Sequence, residues 1–227
     1  MSDKLRVAFG GRIARKELIA ALSPMPEIAF TAAGDLTELG PLVSGNDVLM
    51  ISDPRGTEGN VLAEALRSPG SSVRWIQCVS AGVDGLLSHG IPPSIRITNQ
   101  GGAVAPTVAE HAIGLMLMMT RQLGPIYDRS HRGTWDRDFT PPIVAVEGRT
   151  LAIIGYGNIG RNIARRAHAF DMHVVGLART PRADEFADEM LPLTHLHATL
   201  GRADIVAVCV ALGASTRHLI DAAALGA

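Results

Sequence analysis

Short apolar runs punctuate the chain at Leu5 to Phe9, Ile28 to Thr31, Asp47 to Ile51, Val73 to Val79, Ile95 to Thr98, Thr150 to Ile154, His173 to Ala178 and Asp204 to Val210. Each has the length and apolar continuity of a strand buried on both faces. Between most of them the apolar positions take helical spacing, as in Arg12 to Leu22, Val61 to Arg67 and Asn158 to Phe170. Strand and helix in alternation predict βαβ units, hence an α/β fold with parallel sheets.

One segment breaks the alternation. From Pro106 to Arg132 the pattern predicts a single long helix, apolar on more than one face, followed by an irregular stretch holding Trp135, Pro141 and Pro142. A helix of that kind belongs between domains or subunits. A boundary is therefore expected near residue 100, with one α/β domain over 1–100 and a second over 101–227 that opens with helix 106–132.

Composition narrows the class without naming a function. The 227 residues are 47% hydrophobic and 19% charged with few aromatics, the profile of an ordinary globular protein. Lys plus Arg is 21 against 22 for Asp plus Glu, and the net charge of −1 offers nothing to nucleic acid or an anionic membrane. Ala112 to Met119, the longest apolar stretch, is too short to cross a bilayer. Its Met116, Met118 and Met119 read as adaptable core packing. Cys78 and Cys209 lie in apolar runs without disulfide or metal spacing, and Met1 to Arg6 lacks a secretion pattern. Core thiols and a cytoplasmic location follow as expectations.

The candidate chemistry is concentrated at Gly155-Tyr156-Gly157-Asn158-Ile159-Gly160, a GxGxxG hexapeptide. Its context makes it specific: it follows the strand Leu151 to Ile154, opens the helix beginning near Arg161, and leads to the strand Val174 to Leu177. The first glycine allows a tight turn, the second lets backbone approach a pyrophosphate, and the third lets helix pack on strand. The free amides and dipole of the helix start favour the phosphates. Where NAD-binding units place a ribose-binding carboxylate, this chain has Ala178, followed by Arg179, Thr180 and, further on, Arg182. Loss of the acid and gain of guanidinium groups predict a preference for NADP(H) over NAD(H); a solvated basic loop is the alternative.

An ordered set of segments resembles the D-isomer-specific 2-hydroxyacid dehydrogenases. The set is Val73 to Gln77 with Ser80 to Asp84, Val108 to His111, Gly133 to Trp135, Glu147 to Leu151 running into the glycine motif, Arg202 to Val206, and Thr216 to Ile220. The resemblance implies a flavodoxin-like substrate domain, a Rossmann dinucleotide-binding domain incomplete at its C-terminal end, and an active site in the cleft between them. It implies reduction of a small 2-oxo acid to a D-2-hydroxy acid with NAD(P)H in a homodimer, with the amides at Ala81 and Gly82 on the substrate carboxylate. It also brings Val210, Ala211 and Thr216 to the cofactor, although members usually carry proline at the place of Ala211 and often threonine at that of Gly213. The family's catalytic Arg, Glu and His fall beyond the stretch matched by Leu219 to Ala227, so no catalytic residue is assigned in this chain. A truncated dehydrogenase without turnover is the leading reading, a silent dinucleotide-binding or sensing protein the second, and a non-functional gene fragment that still folds in part the third.

Other polar candidates are given structural roles. Thr107-Val108-Ala109-Glu110 fits a capping box ahead of the long helix, which accounts for Glu110 and leaves His111 without a catalytic partner. His195 and His197 have no third ligand nearby in sequence and fall at a helix start, so no metal is expected.

Overall fold

A computed structural model describes residues 4–34 and 38–227. The chain divides into two compact units, Met1–Gly101 and Gly102–Ala227.

The first unit is a five-stranded sheet interleaved with helices. In chain order its elements are β1 (Leu5–Gly10), α1 (Arg15–Leu22), β2 (Ile28–Ala32), α2 (Leu39–Leu42), β3 (Val48–Ile51), α3 (Gly56–Arg67), β4 (Trp75–Cys78), α4 (Asp84–Ser88) and β5 (Arg96–Thr98). The strands pair in the order β2-β1-β3-β4-β5, all parallel. This is the doubly wound order of flavodoxin-like sheets. β1 and β3 read as unbroken apolar runs because helices cover both faces: Ala8, Phe9, Leu49 and Ile51 are fully buried. α3 turns Gly59, Leu62, Ala63 and Leu66 inward at the i, i+3, i+4, i+7 spacing of an amphipathic helix.

The second unit contains α5 (Ala105–Thr120), α6 (Leu123–His131), β6 (Thr150–Ile154), α7 (Asn158–His168), β7 (His173–Ala178), β8 (Glu189–Pro192), α8 (Leu196–Leu200), β9 (Ile205–Val208) and α9 (Ala222–Leu225). Its sheet has the order β8-β7-β6-β9, again parallel. In the six-stranded Rossmann order 3-2-1-4-5-6 these four are strands 3, 2, 1 and 4, which leaves β9 as an edge. The chain steps from β6 to β7 to β8 and then returns to the other side of β6. That reversal opens a crevice at the carboxyl ends of β6 and β9.

The long helix expected over 106–132 is two helices. Pro125 has no amide hydrogen, and in a continuous helix its ring would strike the carbonyl of Arg121. The chain therefore turns at Gln122, which adopts a left-handed conformation with φ 51°, and restarts so that Pro125 falls within the first turn of α6. The capping box is corrected as well. α5 begins at Ala105 behind Val104, with no side-chain cap, so Thr107 lies inside the first turn. Glu110 instead accepts from Arg166 Nη2 at 2.7 Å, tying α5 to α7. α5 buries Ala105, Ala109, Ile113 and Met116 and leaves Leu115, Met118 and Met119 exposed. Cys78 is buried as expected and Cys209 only partly so; both are free thiols, and burial pushes Cys78 up to about 11 and Cys209 upward.

Apolar periodicity does not predict β8. Its four residues are only half buried and end in Pro192, the marks of an edge strand without a continuous apolar run.

Candidate functional site

The glycine motif forms the turn between β6 and α7. Gly155 and Tyr156 both donate their amides to the Leu177 carbonyl at 2.9 Å, which bends the chain sharply off the end of β6. Gly155 has φ 98°, and a Cβ there would stand 2.8 Å from the backbone of Cys209 and Val210. At the mouth of the crevice the two strand ends approach too closely for any side chain. A Cβ on Gly160 would meet the Gly155 carbonyl oxygen at 2.7 Å and Ile153 Cγ2 at 3.0 Å, so this glycine sets how closely α7 packs on β6. Gly157 differs: nothing lies within 4 Å of the position its Cβ would take.

Gly157 caps α7 with extended backbone and no side-chain acceptor. The first amides of α7, those of Asn158, Ile159 and Gly160, have no acceptor among the described residues and adjoin a glycine without a side chain. The helix dipole adds positive potential there, and the combination fits a pyrophosphate held by backbone alone. The side chains of the motif are engaged by the protein itself. Tyr156 packs over Gly176, Ile159 joins the apolar core, and Asn158 lies against Gly102.

After β7 come Ala178, half buried, then Arg179, Thr180 and Arg182, all exposed. Neither guanidinium has a hydrogen-bond or ion-pair partner among the described residues. The carboxylates that follow are all engaged. Asp184 accepts from Arg161 Nε at 2.6 Å, from the Tyr156 hydroxyl at 2.9 Å and from the Phe186 amide at 3.1 Å. Burial would raise the Asp184 carboxyl, but the hydrogen bonds from Arg161, Phe186 and Tyr156 outweigh it and hold its pKa below the usual range. The Tyr156 phenol is pushed upward, first by burial and then by the bond to Asp184. Glu185 meets Arg161 Nη2 at 2.8 Å, Asp188 accepts from the Val174 amide at 2.7 Å, and Glu189 pairs with Arg202 at 2.6 Å. Two cations are left over beside a set of satisfied acids.

On the far side of the crevice, Val210 packs among Ile154, Leu177 and Leu219. Ala211 accepts from the Thr216 hydroxyl at 2.6 Å, and that same oxygen accepts from the Gly213 amide at 2.9 Å. Thr216 therefore closes the loop after β9 even though Ala211 and Gly213 replace the residues usual in the resembling family.

In the first unit, the turn after β4 carries Ala81 and Gly82. Asn99 Nδ2 donates to the Ala81 carbonyl at 2.7 Å and Ser80 Oγ to the Gly82 carbonyl at 2.9 Å. Both carbonyls are thus tied back, while the Ala81 and Gly82 amides have no acceptor among the described residues. Asp53 already occupies the amides of Gly85 and Leu86, at 3.0 and 2.8 Å, so an anion could use only the turn itself.

An apolar groove of about 820 Å³ runs beside β9, walled by Met116, Met119, Ile159, Ile163, Ile205 and Val208. Among the described residues no three His, Cys, Asp or Glu side chains cluster as metal ligands, and no helix is long and apolar enough to cross a membrane. Sequence reasoning missed the Arg161–Asp184–Tyr156 network. Its only trace in the sequence is an arginine directly after the last motif glycine.

Residues 113–227 match the family model described as D-isomer specific 2-hydroxyacid dehydrogenase, NAD binding domain. The chain belongs to the D-isomer-specific 2-hydroxyacid dehydrogenase family. It is 29% identical over 208 residues to a hydroxypyruvate reductase of Thermotoga maritima, an alignment spanning 91% of this chain and 65% of that protein. A crystal structure of a glyoxylate reductase from Paecilomyes thermophila superposes with a TM-score of 0.76 at 26% identity, over 97% of this chain and 69% of that one. The fold is also that of a D-isomer-specific 2-hydroxyacid dehydrogenase family protein from Aeromonas salmonicida (TM-score 0.81, 24% identity, 96% of this chain and 68% of that one). The chain therefore spans slightly less than two thirds of the length of the Thermotoga relative.

Proposed function

We propose that the chain is the substrate-domain and dinucleotide-binding part of an oxidoreductase that reduces a small 2-oxo acid to a D-2-hydroxy acid. Its preferred cofactor is NADP(H) rather than NAD(H). The observation that carries the cofactor choice is the charge pattern after β7: Asp184, Glu185, Asp188 and Glu189 are all partnered, while Arg179 and Arg182 are exposed and unpaired among the described residues. Ala178 offers no acceptor to ribose hydroxyls, and a guanidinium next to it can meet a 2′-phosphate with paired donors.

When bound, the reduced nicotinamide supplies the hydride for the substrate carbonyl carbon. The residues of this chain bind and orient: the α7 amides and Gly157 take the pyrophosphate, Arg179 with Thr180 and Arg182 the 2′-phosphate, and Val210, Ala211 and Thr216 line the other wall. The amides of Ala81 and Gly82 hold the substrate carboxylate. The exposed Leu115, Met118 and Met119 of α5 supply the apolar face of a homodimer contact, and the cytoplasm is the place of action.

Titration of NADPH and NADH by nicotinamide fluorescence tests the cofactor choice. A charge-assisted hydrogen bond is worth about 1.5–3 kcal/mol, so NADPH should bind roughly tenfold or more tightly than NADH. Arg179→Ala should remove that margin while sparing NADH. Equal affinities in the wild type, or an Arg179→Ala variant that keeps the margin, would contradict the assignment.

A further inference from the structure

The connection between β7 and β8, residues 179–188, has no regular secondary structure, yet its middle is firmly tied. The ties come from the glycine motif itself. Arg161 follows the last glycine directly, and its guanidinium holds Asp184 at 2.6 Å and Glu185 at 2.8 Å. It also lies over the Phe186 ring, 5.0 Å from the centroid. Tyr156, second residue of the motif, reaches the remaining Asp184 oxygen with its hydroxyl. The Asp184 carbonyl accepts the Ala187 amide at 3.2 Å, closing a turn. One end of the loop is fixed by β7, the other by this clamp, and the free guanidiniums of Arg179 and Arg182 lie between.

We infer that Arg161 is a positioning residue for dinucleotide selectivity, which it sets by clamping Asp184 and Glu185 and so keeping Arg179 and Arg182 available to a 2′-phosphate. This inference rests on the assignment of Arg179 to that phosphate. Two physical effects act in the same direction. The clamp fixes the course of the loop, and fixing a loop before binding removes the cost of ordering it later. It also occupies two carboxylates that stand only two and three positions from Arg182. Released, those carboxylates would pair with Arg182 or Arg179, or repel the incoming phosphate. Asp184 carries a third consequence: with both oxygens engaged, it is withheld as the ribose-hydroxyl acceptor that an NAD-selective site needs. The clamp therefore disfavours NADH while favouring NADPH.

The readout is the ratio of NADPH to NADH affinity, because damage to the nucleotide site as a whole lowers both alike. Binding is titrated for the wild type, Arg179→Ala, Arg161→Ala and Arg161→Lys, with thermal unfolding followed for each. Arg161→Ala is expected to weaken NADPH by about tenfold and to leave NADH unchanged or slightly tighter. Arg161→Lys keeps the charge but has one compact ammonium in place of a fork that grips two carboxylates, so the ratio should fall to an intermediate value. Adding Asp184→Asn and Glu185→Gln to Arg161→Ala removes the released acids and should restore part of the preference. A wild type without NADPH preference, or one that keeps it in Arg179→Ala, overturns the underlying assignment and this inference with it. If Arg179→Ala abolishes the preference but Arg161→Lys and Arg161→Ala leave the ratio unchanged, the assignment stands and the clamp is refuted. Should Arg161→Ala fail to fold, the ratio in Arg161→Lys decides alone.

Discussion

Gly155 and Gly157 stand two positions apart and should answer the same substitution in opposite ways. Gly155 is held at φ 98° with the Cys209–Val210 backbone 2.8 Å from where a Cβ would go. A left-handed conformation costs an L-residue roughly 1–2 kcal/mol and forced overpacking about 1–3 more. Gly155→Ala should therefore lose about 3 kcal/mol in urea unfolding, and a loss below about 1 kcal/mol would refute the close approach. Gly157 has extended backbone and open space where a Cβ would go, so Gly157→Ala should leave stability nearly unchanged. The hexapeptide was legible because turn, approach and packing each need glycine at a fixed offset. The clamp was not, since Arg161 and Asp184 are 23 residues apart and only the fold brings them together. Glu110 shows the converse: a fitting local pattern predicted a cap, and a through-space partner, Arg166, took the side chain instead.

Among the elements, the strands that could be read in advance were those whose apolar runs are continuous because both faces are covered, such as β6 and β7. β8 could not, and what fixes it is ionic. Glu189 accepts from Arg202 through both oxygens, at 2.7 and 2.6 Å, and pairs with His173 at 3.1 Å, joining β8 to β7 and to the turn before β9. The Arg202 hydrogen bonds come first, then that of His173, in pulling its pKa from 4.5 down to about 2. A carboxylate depressed in the folded state contributes stability above its unfolded pKa and loses it as pH falls through the folded value. Glu189→Gln should thus be less stable than wild type at pH 7, with the gap closing between about pH 4.5 and pH 2. Urea midpoints measured down this range check it; a gap that does not change with pH would contradict the pairing. Helix 106–132 failed as a single element for a reason visible in the sequence, since Pro125 forbids continuation, but apolar periodicity gives no weight to a missing amide.

At the scale of the whole molecule, the parallel α/β architecture and the position of the nucleotide crevice follow from alternation and one motif. The ordered family segments carried the rest. What no periodicity could show is the groove beside β9 or which carboxylates are spent, because both depend on elements far apart in sequence.

If the bare backbone at the start of α7 receives a dinucleotide, Gly157→Val should block it. The Cβ it adds has no protein atom within 4 Å beyond its chain neighbours, and the backbone is extended, so stability should stay within about 1 kcal/mol of wild type. Calorimetric titration with NADPH should show saturable binding to the wild type and at least a tenfold loss in Gly157→Val, with the same cooperative unfolding in both. Undiminished binding by a folded Gly157→Val variant, or none by the wild type, would contradict it.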